Sequence, residues 1–492
     1  MLVLHTSDLH LGQTLAQQSR HEEQRRIFLE ITQIVRQRQV DAILICGDLY
    51  DTVSPSIAAR RLFFDFLHHL TGTSCHTMVV TGGNHDSPTL IELGRDVLRT
   101  LPAPQIHLIG SLEGKTAHEL VIPLRNASGD IAAICLAVPY LRLKDALPNG
   151  VAAGISPEER LTAYREGVRR RYAELTGIAV KMRSAISDRK SSPETPDIPI
   201  LAMGHLFVTG AIHEGDTPDP VGMTEAVPVD VFGTELDYVA LGHLHRRQTL
   251  TDTMGAPDRI GYCGSPMPLD FSESTHRKGV VLYETTTRTT EFVEIRPPRP
   301  LRSLRGTLPG IRSQLETLAS TVISSRDTSR NADVRQEHRN RNDNPGDPDT
   351  SPANRGKNDR KENPGEISSP ESGTPLAMWL EIRLPPEEMA EDPAEKIREF
   401  LTSLDVAESI RPLIVKRENS TSPTGFPGIG TYEPAARLRD FPPRTVFETL
   451  LEERCPESPE THELRTQFLA DFDEAMRDMQ NDPEESESPQ IP

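Results

Sequence analysis

The sequence predicts an α/β fold, and three observations lead to it. Up to about residue 292, short apolar runs of strand length alternate with longer amphipathic stretches of helix length. Residues able to do chemistry fall just after the apolar runs, at the carboxyl edge where open α/β sheets place their sites. The chain has 492 residues, enough for about three folded units at roughly 150 residues each.

In chain order, Leu2–Thr6 reads as a strand, Glu22–Gln37 as a helix, Ala42–Cys46 as a strand and Ile57–Leu70 as a helix. Thr77–Thr81 is the next strand, Thr89–Leu101 a helix and Ile131–Val138 a strand. A helix over Ser156–Leu175 opens with an N-cap pattern, Ser156-Pro-Glu-Glu159. Lys181–Pro199, rich in Ser, Pro and charge, reads as an inserted surface loop before strands at Ile200–Met203, Tyr238–Leu241 and Gly279–Tyr283. Ser324–Pro375 has no aromatic residue and almost no apolar one, so disorder is expected. Leu376–Leu384 (strand), Pro393–Leu404 (helix) and Pro412–Lys416 (strand) then form a small α/β unit.

Two helices are expected near the end, after a Gly/Pro-rich stretch. Val446, Phe447, Leu450 and Leu451 make one apolar stripe, and Leu464, Phe468, Phe472 and Met476 recur every four residues to make another. A hairpin burying both stripes against each other is one reading. The other is a docking surface for a partner, favoured because so short a helical pair is only marginally stable alone.

Net charge is −19, with −6 on residues 1–300 and −13 on residues 301–492. Bulk attraction to nucleic acid is therefore excluded, and any such binding must come from a local site, bound cations or a partner. Five widely spaced cysteines (Cys46, Cys75, Cys135, Cys263, Cys455) without a C-x-x-C pair argue against a disulfide framework or zinc ribbon. The chain opens directly on an apolar strand without a leader pattern, and no 18-residue apolar run occurs; a soluble, cytoplasmic protein is expected.

Five motifs carry the chemistry: Asp8-Leu-His10, Gly47-Asp48, Gly83-Asn84-His85-Asp86, Gly204-His205 and Gly242-His243-Leu-His245. Each alone is an ordinary turn or strand exit. All five in order supply carboxylates, an amide and imidazoles with no thiolate, a donor set suited to Mn, Fe or Zn rather than Ca. On extended backbone, the spacing of two in Asp8/His10 and in His243/His245 would turn each pair to one face, able to grip one ion. Two ions about 3.5 to 4 Å apart need a bridging carboxylate, and Asp48 is the natural candidate. Such a pair activates water for phosphoester cleavage without a covalent nucleophile. His68, His69 and Cys46 read as solvated or packing residues.

These stretches resemble the calcineurin-like metallophosphoesterases. The likeness extends to the SbcD family of bacterial nuclease subunits through Leu4-His-Thr-Ser-Asp-Leu-His-Leu-Gly12, Ile45-Cys-Gly-Asp-Leu-Tyr-Asp-Thr52, Gly83-Asn-His-Asp-Ser87, Val138-Pro-Tyr-Leu-Arg142, Ala202-Met-Gly-His205, Asp237-Tyr-Val-Ala-Leu-Gly-His-Leu-His245 and Gly264-Ser-Pro-Met-Pro-Leu269. The resemblance implies a β-sandwich flanked by helices over residues 1–291 and a capping α/β domain over 292–421, interrupted by the insert 324–375. It further implies a linker over 422–439, a partner-docking helical segment over 440–480 and an acidic tail over 481–492. One metal would be held by Asp8, His10, Asp48 and His245, and a second by Asp48, Asn84, His205 and His243. His85 would act on the leaving oxygen. Asp51 stands where archaeal and eukaryotic relatives carry a His; bacterial members share the Asp.

The implied activity is a Mn-dependent DNA nuclease, a 3'-5' exonuclease at duplex ends and an endonuclease on single strands and hairpins, in repair, replication and recombination. The implied assembly is a dimer of nuclease subunits with an SbcC-like ATPase; the chain has no Walker motif, so ATP use would fall to that partner. A stand-alone phosphatase or small-molecule phosphodiesterase would share every ligand without needing the cap or the C-terminal helices. A non-catalytic scaffold is the third reading, disfavoured by the complete ligand set.

Overall fold

The computed structural model describes residues 1–98, 104–147, 150, 155–189, 198–212, 226–251, 258–323, 376–389, 392–417, 444, 465–469 and 472. The chain divides into two units, residues 1–418 and 419–492.

The amino-terminal half begins β1 (Leu2–Thr6), β2 (Thr14–Leu15), β3 (Gln18–Ser19), α1 (His21–Arg38), β4 (Ala42–Cys46), α2 (Ile57–Leu70) and β5 (Thr77–Thr81). Two single turns, α3 (Pro88–Ile91) and α4 (Arg95–Leu98), precede β6 (Gln105–Ile109). There follow β7 (Val121–Arg125), β8 (Ile131–Leu136), α5 (Leu143–Ala146), α6 (Pro157–Arg189), β9 (Ile200–His205), β10 (Tyr238–Gly242), β11 (Gln248–Leu250), β12 (Ile260–Tyr262), β13 (Gly279–Glu284) and β14 (Thr289–Glu294). One six-stranded sheet has the order β14-β13-β1-β4-β5-β6 and a second the order β11-β12-β10-β9-β8-β7.

The alternation of side chains along β4 makes the layers explicit. Ala42, Leu44 and Cys46 pack into the core shared with the second sheet, while Ile43 and Ile45 pack on the other face with Ile27, Ile31 and Phe28 of α1 and Phe66 of α2. The result is the expected sandwich with helices outside it. β1, β4 and β5 run parallel, as do β9 and β10, so their carboxyl ends converge on one edge.

Three expectations need correction. Thr89–Leu101 is not one helix: Gly94 adopts φ +80° and separates α3 from α4. Residues 181–189 are not a loop but the last part of α6. The apolar stripe Tyr164, Val168, Tyr172, Leu175, Ala179 continues through Met182 and Ile186 onto the same core, and this packing outweighs the polar composition. Of the rest of that expected insert, residues 190–197 lie outside the described residues, and Ile198 and Pro199 are buried where they lead into β9. The first sheet also runs to Glu294, three residues beyond the expected boundary at 291. β6, β7, β11, β12 and β14 had no counterpart in the sequence reading; β7 carries Pro123, which is tolerated because β7 is an edge strand.

Beyond the sandwich, β15 (Leu301–Arg305), α7 (308–323), β16 (Met378–Leu384), α8 (Pro393–Ser403) and β17 (Ile410–Arg417) form a β-α-β-α-β unit with a fully parallel sheet. Ile311, Leu315 and Ala319 of α7 and Ile397 and Leu401 of α8 bury against Leu380, Ile382 and Leu384. On the other side Leu301 and Trp379 meet Leu15 and Phe271 of the sandwich. Arg299 fastens the joint: it stacks 4.0 Å over the Trp379 ring, pairs with Glu23 at 2.9 Å and donates to the Ala377 carbonyl at 2.6 Å.

The expected insert 324–375, the linker and the acidic tail lie outside the described residues. So do Val446, Phe447, Leu450, Leu451, Leu464 and Met476. In the second unit residues 465–469 are helical, and Phe468 is 41% exposed. Among the described residues no helix is long and apolar enough to cross a membrane, and the four described cysteines are free and buried.

Candidate metal centre

The loops leaving β1 and β4 run side by side beyond their sheet. Asp8 N–H donates to the Gly47 carbonyl at 3.2 Å, His10 N–H to the Asp48 carbonyl at 3.0 Å, and Leu11 N–H to the Leu49 carbonyl at 2.9 Å. Asp8, His10 and Asp48 all have left-handed backbone, with φ of 53°, 43° and 47°. The extended geometry assumed for Asp8/His10 is therefore wrong. Paired turns, not strand alternation, aim both side chains inward, and they are 0% and 3% exposed. His243, at φ 99°, departs from extended backbone in the same way. The two histidines of its motif diverge, so they do not share one ion position.

Each of two neighbouring positions is ringed by donors. Around the first, Asp8, His10 and His245 bring ligand atoms within 4.8 Å of one another. Around the second, Asp48 Oδ2 lies 3.2 Å from His205 Nε2, and Asn84 Oδ1 lies 2.9 Å from the same nitrogen and 3.1 Å from His243 Nδ1. Asp48 joins the two, since Oδ2 is also 3.6 Å from His10 Nε2.

The far nitrogen of each ring shows how the imidazoles are aimed. His205 Nδ1 donates to the Cys46 carbonyl at 2.9 Å, His10 Nδ1 to Asp51 Oδ1 at 3.1 Å, and His245 Nδ1 to Glu273 Oε1 at 2.9 Å. These partners fix the tautomer and turn each Nε2 toward the centre. Glu273 is fixed in turn by Lys278 Nζ at 2.6 Å and the Leu269 N–H at 3.0 Å.

Divalent cations fit this donor set. His10 Nε2 is buried without a hydrogen-bond partner, an orphan that a metal bond would satisfy. The centre also gathers negative charge, and the imidazoles respond to it. Burial alone would lower the His10 pKa, but the bond to Asp51 and the charges of Asp48 and Asp8 push it up to about 9. His205 follows the same pattern: burial opposes protonation, and the charge and bond of Asp48 together with the charge of Asp8 raise it to about 9. Burial would raise the Asp48 pKa, yet His205 and His10 hold it well below the usual carboxylate range. Burial and the His205 charge lower His243 to about 3, leaving a neutral ring suited to ligation.

Two glycines make room for this packing. A Cβ on Gly83 would sit 2.1 Å from Asp48 Oδ1, and one on Gly47, already at φ +83°, 2.1 Å from His205 Nδ1.

His85 stands at the rim and is exposed. Its N–H donates to Asp48 Oδ1 at 2.9 Å, and its Nδ1 donates to the Asp51 carbonyl at 2.9 Å. Its ring centroid is 4.9 Å from that of His10.

The seven ligands expected from the sequence thus meet at one edge, with His85 beside them at the rim. Sequence reading assigned no role to the residues that orient them. Asp51 holds both His10 and His85. Asp86 accepts the N–H groups of Leu49, Tyr50 and Gly83 at 3.0, 2.8 and 2.9 Å, locking the β4 and β5 loops together. Burial and then the Asp48 charge push the Asp86 carboxyl up to about 6. Glu273 lies 28 residues from the histidine it orients, so no local spacing could have revealed it.

The family model of the calcineurin-like phosphoesterases matches residues 1–247. Three curated relatives bear the name of the D subunit of the nuclease SbcCD. The Escherichia coli K12 protein is 33% identical over 322 residues, 64% of this chain and 74% of its own. The Rhodobacter capsulatus protein is 34% identical over 65% of this chain and 76% of its own. The Bacillus subtilis protein is 32% identical over 58% of this chain and 66% of its own.

Proposed function

The chain belongs to the calcineurin-like phosphoesterase family, in the branch of the SbcD nuclease subunits of SbcCD, and from that membership we propose that it is a metal-dependent DNA nuclease subunit. The single observation that carries the reading is the pair of donor pockets sharing Asp48. Asp8, His10, Asp48 and His245 hold one cation; Asp48, Asn84, His205 and His243 hold the other. Both are Mn in this reading, in keeping with mixed carboxylate, amide and imidazole donors.

When bound, the two cations neutralise phosphate oxygens and activate water for in-line attack on the phosphodiester. The chain's own residues do the rest. Asp48 keeps the two pockets at a fixed separation. Asp51 and Glu273 hold His10 and His245 in the ligating tautomer. Asp86 keeps the His85 loop against the Asp48 loop, so that His85 has a fixed place beside the reacting group. His85 uses Nδ1 on the Asp51 carbonyl, which leaves Nε2 to give a proton or hydrogen bond to the departing oxygen.

The substrate is DNA at duplex ends (3'-5' exonuclease) and in single strands or hairpins, and ATP enters through an SbcC-like ATPase. The C-terminal segment over 440–480 grips that partner with the stripes at Val446, Phe447, Leu450, Leu451 and at Leu464, Phe468, Phe472, Met476, a helix-in-groove mode. Two nuclease subunits pair in the assembly, which acts in the cytoplasm.

The test incubates the full chain, with and without the ATPase, with Mn and either protein-blocked duplex DNA or a chromogenic phosphodiester. Hydrolysis of the small diester by the chain alone and DNA cutting stimulated by partner and ATP are expected. Small-diester hydrolysis with no DNA cutting under any condition would make the protein a stand-alone phosphodiesterase.

A further inference from the structure

Next to the metal centre lies a cavity of about 400 Å³ lined by Arg246, Arg247, Thr275, His276, Arg277 and Phe292. Phe292, on β14, meets two guanidiniums: Arg247 lies 4.7 Å and Arg277 5.5 Å from its ring centroid. Arg247 Nε is buried and has no hydrogen-bond partner, so this donor is dehydrated yet unused. Arg277 is shared with one carboxylate, Glu294, at 2.6 Å. The lining carries three guanidiniums, of which Arg277 is offset by Glu294 through Nε and Nη2, on a chain whose net charge is −19.

The cavity is also tied to the catalytic edge. Arg246 and Arg247 directly follow His245 in the chain, and Arg277 directly precedes Lys278. Lys278 Nζ donates to the His245 carbonyl at 2.8 Å and pairs with Glu273, the carboxylate that orients the His245 ring. Both walls therefore grow from the knot that fixes one metal ligand.

We propose that this cavity is a phosphate-binding subsite for the nucleic-acid strand being cut. It takes a backbone phosphate on the same strand as the scissile one, a nucleotide or so away. Planar guanidinium forks match phosphate oxygens in paired hydrogen bonds. A polymer whose phosphates recur along each strand reaches both positions at once, whereas a small phosphodiester occupies only the metals. This inference rests on the nuclease reading. It explains how a chain that repels nucleic acid in bulk gains hold of a strand at the one place where it matters.

The test compares kcat/KM for a single-stranded oligonucleotide with that for bis(p-nitrophenyl) phosphate, with Mn and over a salt series. The full chain is used, with Arg247→Gln and Arg277→Gln as variants. The Arg277 side chain is 72% exposed, so its variant carries little folding risk; Arg247→Gln is checked by melting. In each variant the oligonucleotide-to-diester ratio should fall about tenfold, mainly through KM. The logarithmic salt slope should flatten by about 0.7 for each lost single-strand contact. Arg277→Lys, which keeps the charge, should retain the wild-type slope. An unchanged ratio and slope in both glutamine variants, with the wild type cutting the oligonucleotide normally, would overturn the subsite alone. A wild type that hydrolyses the diester but cuts no oligonucleotide would overturn the nuclease reading and the subsite with it.

Discussion

The two walls of the metal centre are built on different chemistry. The first sheet contributes Asp8, His10, Asp48 and Asn84 from loops after β1, β4 and β5. The second contributes only imidazoles, His205, His243 and His245, from the ends of β9 and β10. Carboxylates are confined to one wall, so neither alone is a balanced divalent-metal site, and the centre exists only where the sandwich closes. The walls also differ in stiffness. His205 is fully buried with its Nδ1 on a strand carbonyl, whereas the His245 side chain is 33% exposed and depends on Glu273.

Asp48→Asn should uncouple the walls most completely, because it removes the anion that links them. Bound metal and turnover should both be lost, as read by elemental analysis and by hydrolysis of a small phosphodiester. Retention of a full metal complement would mean that another carboxylate bridges.

His85→Gln should separate binding from chemistry. Metal content should stay at the wild-type level while kcat falls by about 10²- to 10⁴-fold. A variant lacking metal would show His85 to be a ligand instead.

Glu273→Gln probes the difference in stiffness. Metal affinity at the His245 position should weaken by about 10- to 100-fold. Because buried Lys278 also loses its counter-ion, the melting temperature should drop. Asp51→Asn, against a His10 ring already packed on all sides, should cost less affinity. The reverse ranking in a metal titration would contradict these assignments of what orients the rings.

The effect of pH follows from the raised pKa values of His10 and His205. With pKa pushed up to about 9, both rings hold protons throughout the neutral range, and a cation must displace them. Apparent metal affinity should therefore rise with pH until both rings are neutral and level off above that point. The slope should approach tenfold per pH unit for each displaced proton. A flat profile between about pH 6 and about pH 9 would show that the rings are neutral without metal.

Much of this was legible in the sequence because each ligand motif follows directly on a buried strand. The apolar run Ala42–Cys46 announces β4, and Gly47-Asp48 must then emerge at its carboxyl edge. The local geometry was not legible: Asp8 and His10 reach the centre through left-handed turns, which a spacing of two cannot reveal. Long-range partners were equally hidden, since Glu273 and Lys278 act on His245 only through the folded chain. Polar composition misled over residues 181–189, where two well-spaced apolar residues, Met182 and Ile186, keep α6 on the core. At Thr89–Leu101 amphipathic spacing misled in the opposite sense, because Gly94 turns the chain between α3 and α4.

The proposed metal chemistry requires two cations that would share Asp48, and electron paramagnetic resonance of the Mn-loaded full chain detects such a pair directly. An exchange-coupled signal is expected, from ions about 3.5 to 4 Å apart, and the coupling should disappear in Asp48→Asn. Uncoupled Mn signals in the fully loaded wild type, or coupling that survives Asp48→Asn, would contradict the bridged pair.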